Sequence, residues 1–192
     1  MTAPALVALC HHRWALRIVA ALHAAGGAKF VTLAHRTGAS RDAVTASLRT
    51  LRALGLIRRN AGYGHPMRPE YLVADGAARA AECCRVVAQA VEAMANRGGL
   101  DRKWALPVVA TLASGPMRFS ELRRAMPGVT PRALATTLKA LRADDTLARA
   151  VSDDYPPTCT YRLTPAGRRL APAVRALEAA LLETPRARTP RT

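Results

Sequence analysis

The chain repeats itself at a spacing of ninety residues. Trp14-Ala15-Leu16 returns as Trp104-Ala105-Leu106, Val44/Leu48/Leu51 as Leu134/Leu138/Leu141, and Pro66 and Tyr71 as Pro156 and Tyr161. Phe30 and Leu33 return as Phe119 and Leu122 at a spacing of 89, so one small loop difference interrupts the register. A near-constant offset of this kind marks two copies of one supersecondary unit, and it restricts the fold more than any local pattern does. Two copies of a unit carry two copies of a surface, so function is sought in a doubled surface. With 192 residues and 50% hydrophobic content, each half is long enough to bury its own core. Asn96-Arg97-Gly98-Gly99 is the credible boundary. It divides the chain into a first unit at 1–97 and a second at 98–183. Residues 184–192, with Arg186, Arg188 and Arg191 among Pro and Thr, read as a short disordered basic tail.

The second copy is the clearer one. Trp104, Val108, Val109 and Leu112 recur at helical spacing, and Ser114-Gly115-Pro116 ends that helix in a turn. A short helix follows, with Ser120 read as its N-cap and Leu122 and Met126 facing inward, until Pro127-Gly128 stops it. Thr130-Pro131 restarts the helix, a hydroxyl N-cap with proline at the first helical position. Leu134, Leu138 and Leu141 form one stripe, which turns Arg132, Ala135, Thr136, Lys139 and Arg142 elsewhere. Two short helices joined by a tight turn, the second with a small and basic outer face, are a helix-turn-helix signature. Residues 147–151 and 158–163 read as two strands of a wing joined through Asp153-Asp154-Tyr155-Pro156-Pro157. Thr164-Pro165 caps a last helix carrying Leu170, Val174, Leu177 and Leu181.

The first copy follows the same order. Val7, Cys10, Trp14, Ile18 and Leu22 line one first helix, ended by Gly26-Gly27. Ser40 caps the candidate recognition helix, with Val44, Leu48 and Leu51 inward and Arg41, Thr45, Arg49 and Arg52 outward. Arg58 and Arg59 begin a hairpin whose loop, roughly 60–69, carries Arg68 near Tyr63 and His65. A closing helix holds Val87, Val91 and Met94, with Cys83 on their stripe. The expected fold class is mainly α with small β wings (α+β): tandem winged helix-turn-helix domains packed as an intramolecular pseudo-dimer. The linker at 96–99 is too short to let the halves wander apart.

Charge indicates the partner. The formal net charge is +16, and it is shared evenly. Residues 1–97 hold 13 Lys/Arg against 5 Asp/Glu, and residues 98–192 hold 16 against 8, a net +8 in each half. A polyanion fits that balance better than a lone basic tail would. Arg41 and Arg132, near the helix N-termini, suit guanine edges, where arginine bonds bidentately to O6 and N7. Arg49, Lys139, Arg58, Arg59 and Arg149 suit phosphates, which set affinity and salt dependence rather than sequence. The opening apolar stretch at 5–10 lacks a preceding basic region and runs into His11-His12-Arg13, unlike a signal peptide. No run approaches a membrane span, and four cysteines without framework spacing suit a reduced cytoplasm. Cys10-His11-His12 has no second ligand pair at finger spacing, so no metal or cofactor is expected. The histidines cluster without an acid or nucleophile at recognisable spacing, and no Gly-rich phosphate loop occurs, so the reading is not that of an enzyme.

Taken together, these residues resemble the HxlR-type winged-helix transcriptional regulators, most closely over residues 103–170. The resemblance rests on Lys103-Trp104, Gly115, Arg118-Phe119-Ser120-Glu121-Leu122, Gly128-Val129-Thr130, Leu147 with Arg149, Pro156-Pro157, Tyr161-Arg162-Leu163-Thr164 and Gly167. Members of that family are usually homodimers of one such domain bound to two operator half-sites. The resemblance implies that Thr130, Pro131, Arg132, Thr136 and Thr137 approach the major groove, and that the wing at 151–159 lies near the minor groove or the phosphates. In the first copy Ser40, Arg41 and Thr45 are the candidate DNA-binding residues of the recognition helix. The implied function is a sequence-specific regulator, more in keeping with a repressor, that reads double-stranded DNA at an imperfect palindrome as a monomeric pseudo-dimer or as a homodimer. It leaves room for a small-molecule effector and none for a membrane. Two departures stand out. Asp144-Asp145 replaces an acidic residue followed by glycine, which would alter the turn into the wing, and the first copy lacks the Arg-Phe-Ser-Glu-Leu string. Some relatives sense oxidants through a cysteine well upstream of the first tryptophan, whereas Cys10 stands only four residues before Trp14. The competing reading is a winged-helix module for protein interaction or for small-ligand or redox sensing, with weak or no specific DNA reading. Asp153 and Asp154 on the second wing and the looser first copy favour it.

Overall fold

The computed structural model describes residues 3–60, 70–94, 96, 98–151, 155 and 157–185. Its first half runs α1 (Pro4–Leu9), α2 (Ala15–Ala25), β1 (Ala28–Lys29), α3 (Phe30–Thr37), α4 (Arg41–Ala53), β2 (Ile57–Arg59), β3 (Glu70–Val73), a 3-10 turn (Asp75–Ala77) and α5 (Ala78–Glu92). The second half repeats this from α2 onward: α6 (Ala105–Leu112), β4 (Met117–Arg118), α7 (Phe119–Ala125), α8 (Pro131–Ala143), β5 (Leu147–Val151), β6 (Cys159–Leu163) and α9 (Pro165–Glu183). Each half is a winged helix, and the two stand in tandem.

The repeat register explains the differences in length. Tyr71 pairs with Ala28 across one sheet and Tyr161 with Met117 across the other. One extra residue therefore precedes β1 in the first half. The second half regains it in the turn between α7 and α8, where Pro127 to Val129 stand against Gly38 and Ala39.

Several sequence expectations change. The single first helix is two helices, because Cys10 to Trp14 form turns between α1 and α2. At about 100° per residue, Leu9 and Ile18 would point to opposite sides of one continuous helix. The break lets both bury completely. Ser120 lies inside α7 rather than at its cap; Arg118 is the N-cap, and its N–H donates to Glu121 Oε2 at 2.6 Å. Each wing also gains a third strand, giving sheet orders β1-β3-β2 and β4-β6-β5. β1 and β4 have two residues each, too few to show alternation.

The halves share one core. α5 packs along α9, while α1 packs against both α9 and α6. The joining helices bury Cys84 and Val87 from α5 and Val174 and Leu177 from α9 in a single apolar cluster that continues into both halves. Cys84, not Cys83, carries the α5 stripe. Polar contacts pin the same seam. Ala3 N–H, at the start of α1, donates to the buried Glu178 carboxylate at 2.8 Å, Arg13 pairs with Asp101 at 3.0 Å, and Arg79 pairs with Glu183. An unpaired carboxylate so buried would be costly, so Glu178 ties α1 to α9 as long as Ala3 and Arg175 face it. Thr184 and Pro185, expected in the tail, are packed: Thr184 is buried, and Pro185 lies against Gly76. Among the described residues, no helix is long and apolar enough to cross a membrane.

Candidate nucleic-acid interface

The two candidate recognition helices are built alike. α4 and α8 are each 13 residues long. Ser40 Oγ accepts from Ala43 N–H at 3.3 Å, and Thr130 Oγ1 accepts from Ala133 N–H at 3.2 Å, each satisfying an N–H that the helix leaves open. Pro131 adds a preset backbone angle at the first turn of α8. Val44, Leu48 and Leu51 are buried on one helix and Leu134, Leu138 and Leu141 on the other. That leaves Arg41, Asp42, Thr45, Arg49 and Arg52 exposed on α4, and Arg132, Ala135, Thr136, Lys139 and Arg142 exposed on α8.

Thr137 does not belong to this surface. It is only 3% exposed and donates to the Ala133 carbonyl at 2.8 Å. Ser47, its counterpart in the first copy, is also buried and donates to Ala43 O at 2.7 Å. A hydroxyl that satisfies itself on its own helix can replace an apolar residue in a core stripe. Thr45 and Thr136 make the same bond, to Arg41 O at 2.9 Å and Arg132 O at 2.8 Å, but from exposed positions. Their oxygens keep acceptor capacity toward solvent, where a base amino group can donate.

Several cations are already engaged. Arg41 lies over the Phe30 ring, 5.8 Å from its centroid, which directs it toward α3. On the first wing, Arg58 pairs with Asp75 at 3.4 Å and Arg59 lies over Tyr71 at 5.8 Å. Arg149 occupies the Arg59 position of the second wing, opposite Tyr161 in the ladder, with Nε 2.7 Å from Cys159 Sγ. Arg49, Arg132 and Lys139 project from exposed helix faces. Arg68 and the wing residues Asp153 and Asp154 lie outside the described residues. The Asp144-Asp145 departure leaves the turn intact. Asp145 takes φ +53 where the first copy has Gly55 at φ +73, so both halves enter the wing through the same left-handed residue.

The structure adds cations that the sequence reading left out. Arg36 on α3 and Arg123 and Arg124 on α7 are exposed, on the helix that precedes each recognition helix. In a helix-turn-helix that helix crosses the DNA backbone. The signal was present in the sequence, since the inward-facing Leu122 and Met126 force Arg123 and Arg124 outward. Cys10 and Cys84 offer little chemistry. Burial pushes the Cys10 thiol up to about 12, and burial with the neighbouring Cys10 and Cys83 raises that of Cys84 as well. A thiol held protonated is a poor nucleophile.

The chain matches the HxlR-like helix-turn-helix family twice, over residues 9–97 and 99–184. It is 39% identical over 75 residues to an uncharacterized HTH-type transcriptional regulator of Methanothermobacter thermautotrophicus, a stretch covering 39% of this chain and 57% of that protein. An equal identity over 75 residues relates it to the uncharacterized HTH-type transcriptional regulator YtfH of Escherichia coli, covering 39% of this chain and 60% of that one. The chain thus spans less than two thirds of the length of either relative. Among solved structures it is similar to the reduced form of the transcriptional regulator YodB from B. subtilis, with 28% identity, 42% of this chain and 79% of that chain covered, and a TM-score of 0.39. With two family matches that together cover nearly its whole length, the protein belongs to the HxlR-like helix-turn-helix family.

Proposed function

We propose that this chain is a cytoplasmic transcriptional repressor that reads double-stranded DNA with α4 and α8 together, one chain supplying both heads of a pseudo-dimer. In this reading residues 1–97 and 98–183 each take one half-site, and Arg186, Arg188 and Arg191 beyond Pro185 add a basic tail. One observation carries it. Two equally long, N-capped helices with basic exposed faces sit on halves locked together through α5 and α9. Successive major grooves are about 34 Å apart on one side of the duplex, and a fixed pair of heads can engage both. Arg132 and Arg41 contact base edges. Arg49, Lys139, Arg58, Arg59, Arg149 and Arg68 hold phosphates, while Ser40, Thr45, Thr130 and Thr136 border the reading surface.

Selection of bound duplexes from a random pool tests this, with affinity for the winner measured against salt. The expected result is an imperfect palindrome protected across both half-sites by one chain, with affinity falling steeply as salt rises. Equal weak binding to every sequence would sink the reading in favour of a protein- or ligand-binding module.

A further inference from the structure

A groove of about 670 Å³ lies between the end of α6, the turn at Ser114 to Pro116, β6 and α9. Arg162, Arg168 and Arg175 line it over an apolar floor that includes Leu112, Leu163 and Ala171, and among the described residues no acidic one lines it. Its size lies in the range of small-molecule sites. Arg168 makes one bond there, to Leu163 O at 3.2 Å, and Arg175 one ion pair, to Glu178 at 3.3 Å.

The first copy shows what this place accommodates. Ninety residues earlier, Arg175 corresponds to Arg85, Pro172 to Glu82, Ala113 to His23 and Arg162 to Leu72. There the Glu82 carboxylate spans the same two helices. It accepts from Arg85 Nε at 2.8 Å and meets His23 Nε2 at 3.1 Å. Leu72 lies over the helix-to-strand turn, close enough that a side chain on Gly27 would strike it. In the second copy the arginine remains, but its carboxylate has become Pro172, the histidine has become Ala113, and Leu72 has become a third cation. Pro172 stands inside α9 and carries no carboxylate, so the acid that spanned the two helices is gone, and Arg175 keeps only Glu178, one turn further along its own helix.

We propose that this groove binds a small amphipathic organic acid, with its carboxylate on Arg168 and Arg175 where the first copy holds Glu82, and its apolar body against Leu112, Leu163 and Ala171. A planar guanidinium favours a carboxylate over a neutral amide through paired, charge-assisted bonds. The assignment stands apart from DNA reading, since it concerns a face built from α6, β6 and α9 and is tested on the free protein.

The test is titration of the full chain, followed through backbone amide resonances, with sodium 2-naphthoate, with 2-naphthamide and with inorganic phosphate. Naphthoate should shift Gly115, Leu163 and Ala171 saturably, at least about tenfold more tightly than naphthamide, as expected for a charge-assisted contact. Pro172→Glu restores the internal acid and removes a helix-interior proline, so it should fold well and lose naphthoate binding. Arg168→Gln should weaken binding while leaving the melting temperature near that of the parent. Equal binding of the amide, full binding by Pro172→Glu, or phosphate reproducing the same shifts at the same affinity would each overturn the proposal.

Discussion

Aligned by the ninety-residue register, α4 and α8 keep every buried position and diverge at the exposed positions of their N-terminal turns, whereas Arg49/Lys139 keep their charge and Arg52/Arg142 are unchanged. Asp42 falls where α8 carries Arg132, Arg41 where it carries Pro131, and the exposed hydroxyl moves one position, from Thr45 to Thr136. One step around a helix is about 100°, so the two hydroxyls address different neighbours. The sign reversal at Asp42/Arg132 matters more, because a carboxylate is repelled where a guanidinium is drawn to phosphate or guanine. The inward stripes are held by packing, whereas the outward faces have been free to diverge. A chain that carries two copies of a head need not keep them identical, and its preferred site need not be a true palindrome.

That contrast can be broken at several points. The largest effect should come from the part the halves share. Leu177, fully buried in the common core, cut to Ala should cost about 2–5 kcal/mol. Calorimetry should still show one cooperative transition, and two separated melts would mean that the halves are independent. Next is a position where the copies solve one packing problem differently. A Cβ on Gly167 would lie 2.1 Å from Thr146 O, yet its counterpart Ala77 is accommodated because α5 is entered through a 3-10 turn. Gly167→Ala should therefore destabilise by about 1–3 kcal/mol as overpacking. Ala77→Gly should cost no more than about 1 kcal/mol, and equal losses in the two denaturation curves would erase the distinction.

The third experiment probes the reading faces. Arg132→Ala should lose about 1–3 kcal/mol of specific over non-specific DNA affinity. Arg41→Ala should lose less, since Arg41 is drawn toward Phe30. The reverse ranking in competitive binding would show that the first head dominates. The smallest effect belongs to the turn into the wing. Asp145 holds a left-handed conformation that glycine adopts freely, so Asp145→Gly should raise stability by about 1 kcal/mol. An unchanged melting temperature would show that Asp145 gains as much from local contacts as it loses in strain.

Much of this architecture could be read from residue order, and the reasons are local. N-caps such as Ser40 and Thr130 and stripes such as Leu134/Leu138/Leu141 are determined by their own helix, so their sequence pattern is their structure. What escaped depended on partners far along the chain. The break after Leu9 exists because α1 must turn its apolar face onto helices from the other half. β1 and β4 exist only as edges to β3 and β6. Thr137 looked like a surface hydroxyl because threonine often is one, and its bond to Ala133 O is invisible in the order of residues. The groove beside Arg175 was equally hidden, since only the fold brings β6, α6 and α9 together.

The seam between α5 and α9 has one more consequence. A regulator assembled from two chains falls apart on dilution, so its active fraction drops more steeply than its amount. Here the halves are one polypeptide around one core, and their local concentration does not depend on how many copies a cell holds. If one chain supplies both heads, as proposed, occupancy of a site should follow the quantity of protein hyperbolically down to very low abundance, without a threshold set by assembly.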